Sequence, residues 1–201
     1  MANITFNPAL MTSPQNSFLL ETQGWMQGLT QDDPVSRMYL TSGILDAGIT
    51  QPVWGGMGIT ANTAQLATNN RQGSDITLAS TTHITGFTVF DQAISMIQVP
   101  GNTVPTANAG QNIAYYAFGS SARIPLPLAS GVITALEGVP TTTQLYWDTV
   151  NFVITNVTGT NMIALPAGVQ LLAVNANSKT VQYSGGVASW LDGQNACLIQ
   201  I

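Results

Sequence analysis

Short apolar runs alternate with polar turns along most of the chain. The clearest instance is 144–155, Gln-Leu-Tyr-Trp-Asp-Thr-Val-Asn-Phe-Val-Ile-Thr. The runs 145–147 and 152–154 are rich in aromatic and β-branched residues, and 148–151 between them is polar, so the pattern predicts a β-hairpin. The same logic continues to the C-terminus. Strands are predicted at 169–174, 180–183, 187–191 and 197–201, separated by turns at 175–179, 184–186 and 192–193. Upstream, 113–118 reads as a strand containing Tyr115 and Tyr116, and the apolar positions from Ile76 to Phe90 carry further strand pattern. Residues 123–128 have prolines at alternate positions, which restricts them to an edge strand or a linker. Residues 60–73 are small and polar and read as a loop. Few segments show a helical period. Turns at roughly 8–12-residue intervals predict an all-β fold. The expected form is a small β-sandwich or barrel body, in one lobe or two, with an extended N-terminal arm.

Three regions follow: an arm over 1–33, an N-terminal β region over 34–110 and a C-terminal β region over 111–201. In the arm, Pro8 and Pro14 break any early helix. Phe6, Leu10, Phe18, Leu20, Trp25 and Met26 are too many large apolar groups for a disordered tail. Two readings stay open: the arm packs on another subunit through these residues, or it folds back on its own domain. On the first reading, deleting 1–30 weakens attachment to a partner while 34–201 still folds.

Composition changes the picture in one respect. Asp, Glu, Lys and Arg make up 6% of the chain, against about 25% in ordinary soluble domains. The polar surface is therefore built from Thr, Asn, Gln and Ser, which suits faces that end up against a neighbour better than a monomer kept soluble by charge. The net charge is −5, and the basic residues are only Arg37, Arg71, Arg123 and Lys179. They are scattered, so no basic patch forms to neutralise phosphates, and a nucleic-acid partner is not expected. The N-terminus lacks a basic segment followed by an apolar one, so no signal peptide is read. No apolar run is long enough to cross a membrane as a helix, and no membrane partner is expected.

No catalytic, cofactor or metal set emerges. His83 is the only histidine. It lies in strand-like Thr-Thr-His-Ile-Thr, and a surface or hydrogen-bonded role is expected rather than that of a base. Cys197, in Ala-Cys-Leu-Ile, reads as a small buried apolar thiol. Asp32-Asp33 before Pro34 reads as a turn rather than a calcium site. Gly55-Gly56-Met57-Gly58 lacks the Gly-Lys-Ser/Thr ending of a phosphate loop and reads as a turn or bulge. Asp148 is expected to be a turn residue. A hydrolase would need carboxylates such as Glu137 and Asp148 to meet in a pocket.

The succession 144–148, 152–155, Gly168-Val-Gln-Leu-Leu-Ala-Val174, 181–184, Trp190-Leu-Asp-Gly193 and 197–201 resembles the capsid cement (decoration) proteins of tailed bacteriophages. Gly43-Ile-Leu-Asp-Ala-Gly-Ile, with Trp54 behind it, is similar to the N-terminal half of that family. The likeness spans most of 34–201, and the stretches 60–75 and 102–110 depart from it. It implies a non-enzymatic virion protein without a cofactor, made in the host cytoplasm and placed on the capsid exterior. The implied partners are the major capsid protein and the chain itself, as a homotrimer by preference or a homodimer. The competing expectation is a receptor- or glycan-binding β domain of a fibre or adhesin, with Trp54, Tyr115, Tyr116, Trp147 and Trp190 as exposed stacking platforms. Whether those aromatic residues are buried separates the two.

Overall fold

The computed structural model describes residues 24–31, 36–64, 73–90 and 103–201. The body is all-β, as the alternation predicts. Its first half is a closed five-stranded barrel of β1 (Leu40–Leu45), β2 (Gly58–Asn62), β3 (Ser74–Leu78), β4 (Gly86–Thr88) and β5 (Asn112–Ala117), in the order β1-β3-β2-β4-β5. β1 and β3 run parallel, and β1 closes the ring against β5. Two three-stranded sheets follow. One is β10-β11-β6, formed by β6 (Arg123–Pro127), β10 (Gln170–Ser184) and β11 (Val187–Gln200). The other is β8-β7-β9, formed by β7 (Tyr146–Asp148), β8 (Val153–Thr155) and β9 (Met162–Ala164). A single helical turn, Ile133–Leu136, precedes the second sheet.

The hairpin predicted at 144–155 is β7-β8, with Trp147 opposite Ile154. Its turn sits one residue later than the sequence suggests, because Phe152 adopts a left-handed conformation (φ 57°) and joins the turn.

The four strands predicted after 168 are two. β10 and β11 form one long antiparallel hairpin closed by Gly185-Gly186, both with positive φ as a two-residue turn requires. The turn-forming residues at 175–179 and 192–193 do not reverse the chain. They lie across from one another and are absorbed as bulges, an extra residue first on β10 and then on β11. Gly193 supplies the positive φ there (67°).

Two apolar cores result. One fills the barrel, with Leu45, Met57, Ile59, Ile76 and Ile113 fully or almost fully buried. The other lies among the three sheets, around Phe87, Trp147, Leu126, Ile154 and Ile199. β5 serves both through its two-residue period: Ile113 and Tyr115 face the barrel core, Ala114 and Tyr116 the other.

Prolines at alternate positions of β6 fit its edge location. Leu128 N–H donates to the Asn195 carbonyl on the β11 side, while the Pro125 and Arg123 carbonyls accept from Gly28 and Gln31 on the other side. Pro125 and Pro127 therefore turn their donor-free nitrogens away from β11, and the ladder loses nothing.

Candidate functional site

The arm residues that the structure describes do not project outward. Trp25 and Met26 lie against the outer edge of β10, half-buried, where Lys179 N–H donates to the Trp25 carbonyl and Gln27 N–H to the Lys179 carbonyl. Phe6, Leu10, Phe18 and Leu20 lie outside the described residues, as does Asp32-Asp33. Gln27 is buried and ties three parts of the molecule together. Its Oε1 accepts from Val181 N–H of β10 at 2.8 Å, and its Nε2 donates to the Gly55 carbonyl beside the barrel at 3.2 Å. This tie accounts for the glycine cluster. A Cβ on Gly28 would lie 2.3 Å from the Gly55 backbone, and one on Gly56 (φ 82°) would lie 2.7 Å from the Gln27 side chain. The cluster is a turn that seats the arm, as the absence of a phosphate-loop ending predicts.

A cleft of about 460 Å³ opens where these parts meet. Its walls are Thr180 to Tyr183 of β10, Leu191, Gln194 and Asn195 of β11, the β7-β8 turn at Val150 to Val153, and Gln51 and Trp54 before β2. None of these lining side chains is charged. Trp54 forms the floor, packed edge-on to Phe152 (6.0 Å) and tilted against Tyr183 (5.7 Å). Trp54 Nε1 and Gln51 Nε2 are buried donors without a partner among the described residues. Sequence reasoning missed this cleft because its lining comes from six separated stretches, none carrying a recognisable chemical motif.

The aromatic residues are placed clearly. Trp54, Tyr115, Tyr116 and Trp147 are buried in the two cores, and Trp190 is half-buried against Phe90 (5.4 Å). Trp147 has no exposed surface. Its indole packs on Phe87 (5.2 Å) and over Gly58, where an added Cβ would sit 2.6 Å from Nε1.

Asp148 is a turn residue. One carboxylate oxygen accepts from the backbone N–H groups of Val150 and Asn151, the other from the Asn151 side chain. Burial pushes its pKa up, but the hydrogen bonds from Asn151 and Val150 outweigh that and hold it below the ordinary carboxylate value. Glu137 is exposed at the end of the helical turn, and neither carboxylate lines the cleft. His83 is an exposed residue of the turn 80–83, its N–H donating to Ser80 Oγ and its carbonyl accepting from Thr60. Cys197 is fully buried, and desolvation raises its thiol pKa far above the usual value. Among the described residues, no cluster of three or more His, Cys, Asp or Glu is placed to hold a metal ion, and no helix is long and apolar enough to cross a membrane.

No protein-family model, curated protein or solved structure matches this chain.

Proposed function

We propose that the chain is a virion structural protein that decorates the outer face of a phage capsid and stabilises it by bridging major capsid subunits. The observation that carries this reading is the burial of Trp54, Tyr115, Tyr116 and Trp147. With these rings inside the cores, they cannot serve as a row of stacking platforms for sugars. What remains outside is an extensive charge-poor face of amides and hydroxyls, suited to burial against a neighbouring subunit. The strand–turn resemblance over 34–201 points the same way. So does the body's construction: two cores sharing β5 and tied by Gln27 make a stiff unit, which a clamp between shell subunits needs.

The test is co-sedimentation of the purified chain with genome-free shells assembled from the major capsid protein of the same virus. The chain is expected to saturate the shells at a fixed ratio to capsid subunits and to raise their dissociation temperature. Absence of binding, with retention on a glycan array instead, overturns the proposal in favour of a receptor-binding domain.

A further inference from the structure

The distal half of the long hairpin has a gap in its edge cover, and the gap opens into the uncharged cleft. Closure by a two-residue turn pairs Ser184 with Val187. Thr180, Gln182 and Ser184 therefore direct their N–H and C=O groups towards β11, and Val181 and Tyr183 direct theirs outward. On the β11 side Thr103 covers the edge: its N–H donates to the Ala188 carbonyl, and its Oγ1 accepts from Trp190 N–H. On the β10 side this chain's own segment adds a short parallel strand at Trp25 to Gln27, and Gln27 Oε1 caps Val181 N–H. Among the described residues the cover stops there. The Val181 carbonyl and both backbone groups of Tyr183 have no partner among the described residues, and both residues line the cleft. Tyr183, Leu191 and Val150 are exposed apolar side chains on its rim.

An open strand edge beside an apolar-and-amide cleft takes an extended polypeptide, whose main chain continues the ladder while alternate side chains enter the cleft. We propose that its occupant is the N-terminal segment of a second copy of this chain, centred on Asn3-Ile4-Thr5-Phe6-Asn7. Three facts favour that occupant. The stretch alternates polar and apolar residues up to Pro8, as an added strand should. Residues 1–23 carry one charged side chain, Glu21, matching a cleft whose lining has none. The described chain begins at Gly24 against Asn177, at the far end of the parallel segment from Tyr183. At Gly24 the described chain therefore runs away from its own gap, and the 23 residues before it, with a contour of up to roughly 75–80 Å, are long enough to reach a neighbour's. The inference concerns self-association and does not depend on the capsid reading.

The test uses the full chain and needs no capsid. Sedimentation velocity over a concentration series is expected to show self-association. Phe6→Asp in the arm and Leu191→Lys in the cleft should each weaken it roughly tenfold or more, since each puts a charge into an apolar contact. The double variant should lose little beyond either single one, because both remove the same contact. A labelled peptide of residues 1–12 should bind the Phe6→Asp chain, whose cleft is vacated, and fail to bind when Leu191→Lys is added. Circular dichroism on each variant separates lost docking from lost fold, and Gln182→Lys on the same wall replaces Leu191→Lys if the latter unfolds. A full chain that stays monomeric, a Phe6→Asp chain that associates like the parent, or a peptide indifferent to the cleft substitutions overturns the proposal.

Discussion

At the scale of single residues, Asp148 is held by its own turn. Its carboxylate takes three hydrogen bonds from Val150 and Asn151, and these favour the ionised form over the cost of burial. A carboxylate with a lowered folded pKa contributes stability that is complete above its unfolded value, near 3.8, and that disappears as pH falls through the lower folded value. Asp148→Asn should therefore cost stability at neutral pH and converge on the parent below pH 3.8, which urea titrations across that range measure. A parent and variant that stay equally far apart throughout would show that the carboxylate's charge contributes nothing. Trp147 gives a second residue-scale prediction. Its Nε1 has no partner among the described residues, and Gly58 leaves it barely enough room. Gly58→Ala should destabilise by about 1–3 kcal/mol, as overpacking does. Trp147→Phe sacrifices no hydrogen bond and clears the space, so adding it to Gly58→Ala should cost less than the two single effects summed. A double-mutant cycle in denaturant measures the coupling.

At the scale of elements, β6 shows how register decides what a proline does. The nitrogens of Pro125 and Pro127 face away from β11, whereas that of Leu126 faces it. Pro125→Ala removes no ladder donor and should cost less than a substitution that does. Leu126→Pro should cost about 3 kcal/mol or more, since it removes a ladder donor and a fully buried side chain. Thermal melts of both variants check the contrast. The edge character of β6 is legible in the sequence because a strand with alternate prolines fits few places in a sheet. β7-β8 is legible because its apolar runs and turn are all local in sequence. The long hairpin reads as four strands for an equally physical reason: Asn175, Asn177, Asp192 and Gly193 suit a bulge as well as a turn. Only their opposition across the ladder, a non-local fact, separates the two. The fold-back at 24–31 leaves no periodic signal either. It is held by backbone hydrogen bonds, the Gln27 side chain and the Ser178 hydroxyl, and none of these depends on an apolar pattern. The cleft inherits that difficulty, since it exists only once the arm, the barrel and the hairpin are assembled.

At the scale of the whole molecule, the arm's attachment alters what truncation does. On the reading in which the arm packs on another subunit, 1–30 is dispensable for folding, but residues 24–31 complete the body. Without them Val181 N–H and the Gly55 carbonyl lose Gln27, and the glycine turn loses the segment packed on it. Buried groups left unsatisfied cost about 1–3 kcal/mol each, so removing 1–31 should lower stability by several kcal/mol. Removing 1–23 keeps every one of these ties and should leave the melting temperature nearly unchanged at low protein concentration, where self-association contributes nothing. The form of the transition is also fixed by the architecture. β5 contributes alternate residues to both cores, and the hairpin that caps the barrel with Ala188 packs Ile199 into the other core. Neither core can open without exposing apolar surface of the other. Tryptophan fluorescence reports on both, because Trp54 lies in the barrel core and Trp147 in its neighbour. Emission from Trp54→Phe and Trp147→Phe chains, each also carrying Trp25→Phe and Trp190→Phe so that one core tryptophan remains, should change with one common midpoint after correction for the stability each set of substitutions costs. Two separated midpoints would mean that the barrel and the sheets are independent lobes. In that case an arm truncation would loosen one without the other, and the stiffness on which a bridging role depends would be lost.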